Sequence, residues 1–373
     1  MNADRFGIGW RPRLAAGILS NLERLDIVEV IADDYFRADR GSRRALRTLA
    51  AQTAVTLHGV SLGMASAVPV ETSRLDDMAR LCDEVRPAFW SEHLAFVRGG
   101  GVEIGHLAAP PRCEATIEGA LANLARAKQI VGIAPQVENV ATLIDPPGSD
   151  RDEAAWLSAI IRNSESRLLL DLHNLHANAL NFGFNANEFL TRIPTEKIAT
   201  IHLAGGKWIG RNGTQRLLDD HLHDVPDPVY ELLAEVAARA PQPLTVILER
   251  DGNFPSIEAL LVQLDRAREA VARGRALGPQ TSRLLIAESA PDALSCRRDA
   301  CGPGEESFLA RIYVDAAARE KFLADPRSEA ARAGLAAHEI DDLASIDRDG
   351  LEMFAHSLEH KKAKHGHPKN QHP

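Results

Sequence analysis

Cysteine is scarce, with Cys82, Cys113, Cys296 and Cys301 the only four in 373 residues. They are too few and too scattered for a disulfide framework in a chain of this size. The close pair in CRRDAC brings two thiols within reach of each other, but two thiols alone do not make a zinc site, so packing or surface roles are expected for all four. Long apolar runs are missing too: none approaches the ~18 residues of a membrane span. The opening MNADRFGIGW has neither the charged start nor the apolar core of a signal peptide, and a cytoplasmic location is the expectation. Basic excess is absent. The formal net charge of −9 argues against a nucleic-acid backbone as the main partner. No repeat of solenoid length is evident. What remains, 45% hydrophobic and 25% charged, is the composition of a soluble globular protein.

Eight short apolar segments alternate with amphipathic stretches: FGIGW, IVEVIA, VTLHGV, AFWSEHLAF, APQVENV, RLLLDL, IATIHLAG and LTVILER. Buried parallel strands read as continuous Leu, Ile and Val, and strand–helix alternation on this scale predicts an α/β fold, a closed (β/α)8 TIM barrel with a small all-helical unit behind it. Helices are expected over 13–24, 73–84, 114–131, 153–161, 186–192, 228–240 and 256–273, where apolar residues recur at three- and four-residue spacing. Pro228 suits a first helical turn and Asn185 an N-cap. The barrel is assigned to 1–275, a Gly- and Pro-rich linker to 276–304, a bundle of three or four helices to 305–362, and a solvated tail to 363–373. The segment from Gly205 to Asp227 reads as one long functional loop.

Polar residues gather where the strands end. His58, Glu92 with His93, Glu138, Asp171, His202 and Glu249 each lie at or near the carboxyl end of an expected strand, which in a barrel is the catalytic face. Grouping Glu138, Asp171, Asp219 and Glu249 at one apolar-walled mouth requires positive charge among them. Lys207, Arg211 and Arg250 could supply part of it through salt bridges. Metal ions account for the histidines as well. His58, His93, Glu138, Asp171, His202, Asp219, His221 and Glu249 hold more donors than one octahedral ion uses, so two or three ions with bridging carboxylates are expected, with Asn174 as a further oxygen donor. Asp219 and His221 alternate, which in an extended segment turns both side chains the same way. Imidazole and carboxylate ligands without thiolates favour iron, manganese or zinc.

GIGWRP, VEVIADDYF, LHGVSLGMAS, WSEHLAF, VENV, LLLDLHNLHANALNFGF, IHLAGG, LLDDHLHDVPDPVYELL and LERDGNFP occur in this order over roughly residues 5 to 270. This series resembles the multinuclear non-haem iron enzymes of the methanobactin oxidase MbnB and TglH family. The resemblance implies a (β/α)8 barrel holding two or three irons of mixed Fe(II)/Fe(III) state, with dioxygen as cosubstrate. It implies a ribosomally made precursor peptide as substrate, modified at cysteine or another residue, and often a separate partner protein that recruits the peptide. By position it implies iron ligation by His58, His93, Glu138, Asp171, Asn174, His202, Asp219, His221 and Glu249, with Asp251 as catalytic proton acceptor or supporting acid. Asp33-Asp34, Gly206 and His173 depart from the usual residues of the family. The carboxyl-terminal helices resemble small domains found beside peptide-modifying enzymes; a fused recognition domain would keep the peptide near the site, and a capping or dimerising role fits equally.

Two other classes stand beside the peptide oxidase. A divalent-metal-dependent isomerase or phosphoesterase would place similar ligands on a similar barrel. A non-enzymatic binding module would tolerate alanine at His58 or Glu249.

Overall fold

The structure, a computed structural model, describes residues 3–278 and 303–365. Among the described residues twelve strands are formed: β1 Arg5–Gly9, β2 Ile27–Ile31, β3 Ala54–His58, β4 Trp90–His93, β5 Phe96–Gly99, β6 Val102–Ala108, β7 Gln136–Glu138, β8 Arg167–Asp171, β9 Ile198–Leu203, β10 Gly206–Arg211, β11 Thr214–Asp219 and β12 Thr245–Leu248. The expected eight, in the order β1-β12-β9-β8-β7-β4-β3-β2, close into a parallel barrel, with β1 paired to both β12 and β2. Leu168, Leu169 and Leu170 show why these segments become strands: all three are fully buried, and each such burial stabilises by roughly 2 kcal/mol. Among the described residues no helix is long and apolar enough to cross a membrane.

The helices Glu114–Val131 and Ala186–Arg192 have the expected bounds, and the Asn185 side chain accepts from the backbone of Asn187 and Glu188. Elsewhere the expectation needs correction. Residues 13–24 form short 3-10 turns around the helix Ala15–Leu19, not one helix. Three helices were not foreseen, the one-turn helix Asp33–Phe36 among them. Arg40–Ala50 buries only Leu46 and Leu49, too sparse an apolar stripe to stand out in sequence. Leu172–Phe182 starts directly after β8, where Asp171 caps it by accepting from Asn174 N at 2.6 Å; its buried face carries His173, Asn174, Asn178 and Asn181, polar residues that read as loop.

The segment expected as one long loop is instead mostly a hairpin, β10–β11, turning at Asn212-Gly213 with φ of 49° and 88°. An Asn-Gly pair between alternating residues is the sequence sign of such a turn. A second hairpin, β5–β6, follows β4. Both rise from the carboxyl ends of barrel strands.

Five helices, Pro303–Val314, Ala316–Ala324, Pro326–Arg332, Ala337–Ala344 and Arg348–His365, make the carboxyl-terminal unit. There are more than the three or four expected because Asp315 caps a new helix within the first of them. The unit does not stand apart. Phe96, Ile104 and Ala108 of the β5–β6 hairpin and Leu143 and Ile144 after β7 share one apolar core with Phe308, Leu309, Ile312 and Phe354. Glu306 accepts from Ser66 Oγ at 2.6 Å and Ala67 N at 2.7 Å, and Asp349 accepts from Asn212 and Thr214 on the other hairpin. Gly99 lets this happen, since a Cβ there would stand 2.5 Å from the Glu306 carbonyl oxygen. The barrel helix Ile257–Leu277 and the helix from Pro303 both enter the segment assigned as linker, and the last helix reaches His365 within the assigned tail. Cys296, Cys301 and the remainder of those two segments lie outside the described residues.

Candidate metal centre

Each strand end delivers its side chain inward because alternate residues of a barrel strand face the axis. Glu138 stands at the centre. Its Oε2 lies 3.4 Å from His58 Nε2 and 3.3 Å from His93 Nε2, while its Oε1 lies 3.2 Å from His202 Nδ1. His202 Nδ1 is also 3.1 Å from Glu249 Oε2. Two donor groups result that share Glu138: His58, His93 and Glu138, and Glu138, Asp171, His202 and Glu249, every one of these residues buried. A third group lies beside them, with Asp219 Oδ2 at 2.9 Å from His221 Nε2. The sequence expectation that Asp219 and His221 alternate along an extended segment is corrected here. Asp219 ends β11, and His221 takes a left-handed backbone with φ of 54°, so the two meet across a turn.

The back of each ring is held as a metal-ligating histidine is held. His58 Nδ1 lies 2.8 Å from Ser91 Oγ, His93 Nδ1 3.2 Å from the Gly59 carbonyl, and His202 Nε2 3.1 Å from Glu29 Oε2. Asn174 Nδ2 donates to the Asn139 carbonyl at 2.9 Å, which leaves its oxygen free. Buried atoms without a hydrogen bond are then Glu138 Oε2, Asp171 Oδ2 and His202 Nδ1 of the donor groups, His221 Nε2 beside Asp219, and Asn174 Oδ1 on the helix that Asp171 caps. Buried lone pairs seldom go unsatisfied, and here they converge. This donor set fits divalent or trivalent transition-metal ions, which take imidazole and carboxylate together.

Charge tells the same story. Burial opposes the imidazolium of His93, yet Glu138 and Glu92 outweigh it and hold the group up at about 9. His202 is likewise raised against its burial by Glu249, Glu29 and Glu138. Burial, with Glu138 and Asp219, pushes Asp171 up to about 7. Burial and the neighbouring His93 and His202 keep His58 low and neutral. Protons thus stand in for the positive charge that the acids demand, and metal ions would displace them.

The cations named from sequence are not at the centre. Lys207 lies 4.0 Å from Asp220, Arg211 4.0 Å from Asp349, and Arg250 pairs with Asp224. Arg11, not foreseen, takes that place: its Nη2 is 3.8 Å from Glu249 and its Nε donates to Asp251 Oδ1 at 2.9 Å. Asp251 is 46% exposed and 3.5 Å from His221 Nδ1, so it is the acid of this group that solvent reaches. Glu92 stands behind His93, its Oε1 3.5 Å from the ring's Nδ1, and accepts from the backbone of His93 and Leu62. Glu29 was also missed, and His173 was marked only as a departure from the family's usual residue. His173 Nδ1 lies 2.7 Å from Asp219 Oδ1, and its ring occupies the space left by Gly206, where a Cβ would come within 2.7 Å of it. An acid inside the apolar run IVEVIA was the available sign for Glu29.

The family model described as RiPP precursor modification enzyme MbnB/TglH/ChrH matches residues 5–272. A UPF0276 protein of Streptomyces avermitilis is 35% identical over 274 residues, covering 72% of this chain and 55% of that protein, so the chain spans about half of that relative's length. A UPF0276 protein of Caulobacter vibrioides is 31% identical over 273 residues, covering 73% and 96%. Among solved structures, an L-ribulose 3-epimerase superposes with a TM-score of 0.48 at 14% identity, covering 77% of this chain and 100% of the other. Endonuclease IV from Thermus thermophilus gives 0.43 at 15%, covering 71% and 99%. With a family model spanning the whole barrel, this chain belongs to the MbnB/TglH/ChrH family of RiPP precursor modification enzymes.

Proposed function

We propose that this chain is a multinuclear iron-dependent enzyme that uses dioxygen to modify a residue, cysteine in the first instance, of a ribosomally synthesised precursor peptide. The observation that carries the reading is the convergence of buried, hydrogen-bond-free donor atoms around Glu138, in a chain of a peptide-modifying family. His58 and His93 with Glu138 would hold one ion, and Asp171, His202 and Glu249 with the same Glu138 a second. Asn174, Asp219 and His221 would hold a third. Iron there would supply dioxygen activation and a binding place for a thiolate. The protein's part is to fix the donors, exclude water from their buried side and manage protons.

Asp251 is the residue for that last task. It is anchored by Arg11, faces His221 and is open to solvent. Burial would raise its pKa, but Arg11 and His221 hold it down at about 2, so at neutral pH it is an ionised, weak base that would relay a proton and not retain it. The carboxyl-terminal unit lies against the loops that follow β3, β4, β7 and β9, and it would form a wall of the peptide's path. The test is anaerobic iron reconstitution followed by mass spectrometry of a short cysteine-bearing peptide encoded beside the gene. An oxygen-dependent mass change is expected. Turnover of a sugar or phosphoester with zinc or manganese and no oxygen, without any peptide change, would replace this reading by the isomerase or phosphoesterase one.

A further inference from the structure

Three buried imidazoles of the centre are held from behind by chemically different groups. A hydroxyl holds His58, the Gly59 carbonyl holds His93 with a Glu92 oxygen farther off at 3.5 Å, and a carboxylate, Glu29, holds His202 at 3.1 Å. Glu29 is fully buried on β2 among Ile27, Val28 and Val30, also fully buried. Among the described residues it makes no ion pair with a lysine or arginine, and His202 is its one ion-pair partner. Its other oxygen, Oε1, makes no hydrogen bond. A buried carboxylate in that setting needs a partner that is itself positively polarised. An imidazole bound to a metal through Nδ1 and donating Nε2–H to the carboxylate meets that need, and the carboxylate in turn makes the ring a stronger donor.

The two donor groups that share Glu138 are also unequal in charge. Besides Glu138, one group offers two rings, His58 and His93, the second with Glu92 Oε1 3.5 Å from its Nδ1; the other offers two carboxylates, Asp171 and Glu249, and His202 backed by Glu29. Anionic oxygen donors favour the higher-valent state of an ion over the lower, on simple Coulomb grounds. We infer that Glu29 orients His202 and strengthens it as a donor, so that the Asp171, His202 and Glu249 subsite holds the ferric ion and the His58 and His93 subsite the ferrous one. The assignment rests on the iron reading above. It makes Glu29 a positioning residue, one that acts through His202 without touching an ion.

The experiment uses the full chain, loaded anaerobically with iron and poised at one oxidising equivalent, with iron affinity, Mössbauer spectrum and reduction midpoint as readouts. Glu29→Gln keeps the shape and an accepting oxygen but loses the charge; Glu29→Leu loses both. Expected are a loss of about 10-fold in affinity for one ion in Glu29→Gln and about 100-fold in Glu29→Leu. The ferric component should be the one altered, and it should become easier to reduce. Ser91→Ala, acting behind His58, should alter the ferrous component instead. Wild-type affinity, spectrum and midpoint in Glu29→Gln, or a change confined to the ferrous component, would overturn the assignment. If Glu29→Leu does not fold, Glu29→Gln decides alone. Glu138→Ala separates the two layers: full iron in that variant sinks the iron reading itself, whereas iron loss there with unaltered Glu29 variants sinks only the role of Glu29.

Discussion

Two buried polar clusters lie near each other in this molecule, and they solve the problem of charge in opposite ways. Around Glu153 the account closes. Arg112 approaches Glu153 at 3.4 Å and Asp145 at 3.1 Å, and Asn178 donates to the same Glu153 oxygen at 3.0 Å. Burial raises Glu153, Arg112 counters it, and none of these side chains leaves a buried atom without a hydrogen bond. Around Glu138 the acids outnumber the nearby guanidinium, and five buried atoms go without hydrogen bonds. The same fold that supplies an arginine and an amide to one buried acid withholds them from the other. A cluster left incomplete by side chains, in a protein able to complete one, fits ions.

The contrast can be broken at its centre first. Glu138→Ala removes the carboxylate common to both donor groups and should weaken metal binding by more than the roughly 100-fold typical of a supporting residue; wild-type metal content, measured by elemental analysis, would end the comparison. Asp251→Asn should keep its metal but lose roughly 10²- to 10⁴-fold in turnover, as measured in single-turnover assays on a loaded enzyme. An equal loss of metal would make Asp251 a ligand instead. At the closed cluster, Arg112→Met strands Glu153 and should destabilise the fold by about 3–5 kcal/mol, read by urea denaturation, with metal per folded protein unchanged. A mild effect there would mean that the closed cluster owes little to its ion pair.

The finest test uses pH. In the ion-free protein His93, raised to about 9, contributes stability that is fully present below the ordinary histidine range and lost as pH rises through about 9. Bound metal reverses the requirement, because the ligand must be neutral. Loading at pH 7 should therefore release on the order of one to three protons, seen as a buffer-dependent heat in titration calorimetry. Metal should leave as pH falls below the histidine range; full occupancy at pH 4, or heats that are the same in every buffer, would contradict the ligand set.

How far all this could be read from the chain depends on the kind of residue. The eight barrel strands were legible because strands buried on both faces, such as Leu168 to Leu170, leave an unbroken apolar trace. The donors at strand ends were legible because His58, Glu138, Asp171 and Glu249 interrupt that trace abruptly. Residues that work from behind were not. Glu29 sits inside its strand, Arg11 follows a Gly-Trp pair with no pattern of its own, and His173 hides in a helix whose polar face is turned inward. Their roles exist only once distant strands are neighbours. The hairpins fail for another reason: β6, β10 and β11 carry exposed residues, so alternation is weak and only the turn pairs Gly100-Gly101 and Asn212-Gly213 mark them.

The seam at Gly99 has a mechanical corollary. With helix backbone against hairpin backbone and the opposite hairpin pinned through Asp349, the roof over the mouth cannot swing up without tearing an apolar core and two polar joints at once. Hairpins and helices should therefore travel as a single rigid piece, and it is on the side of Asp251 that this group of acids meets solvent.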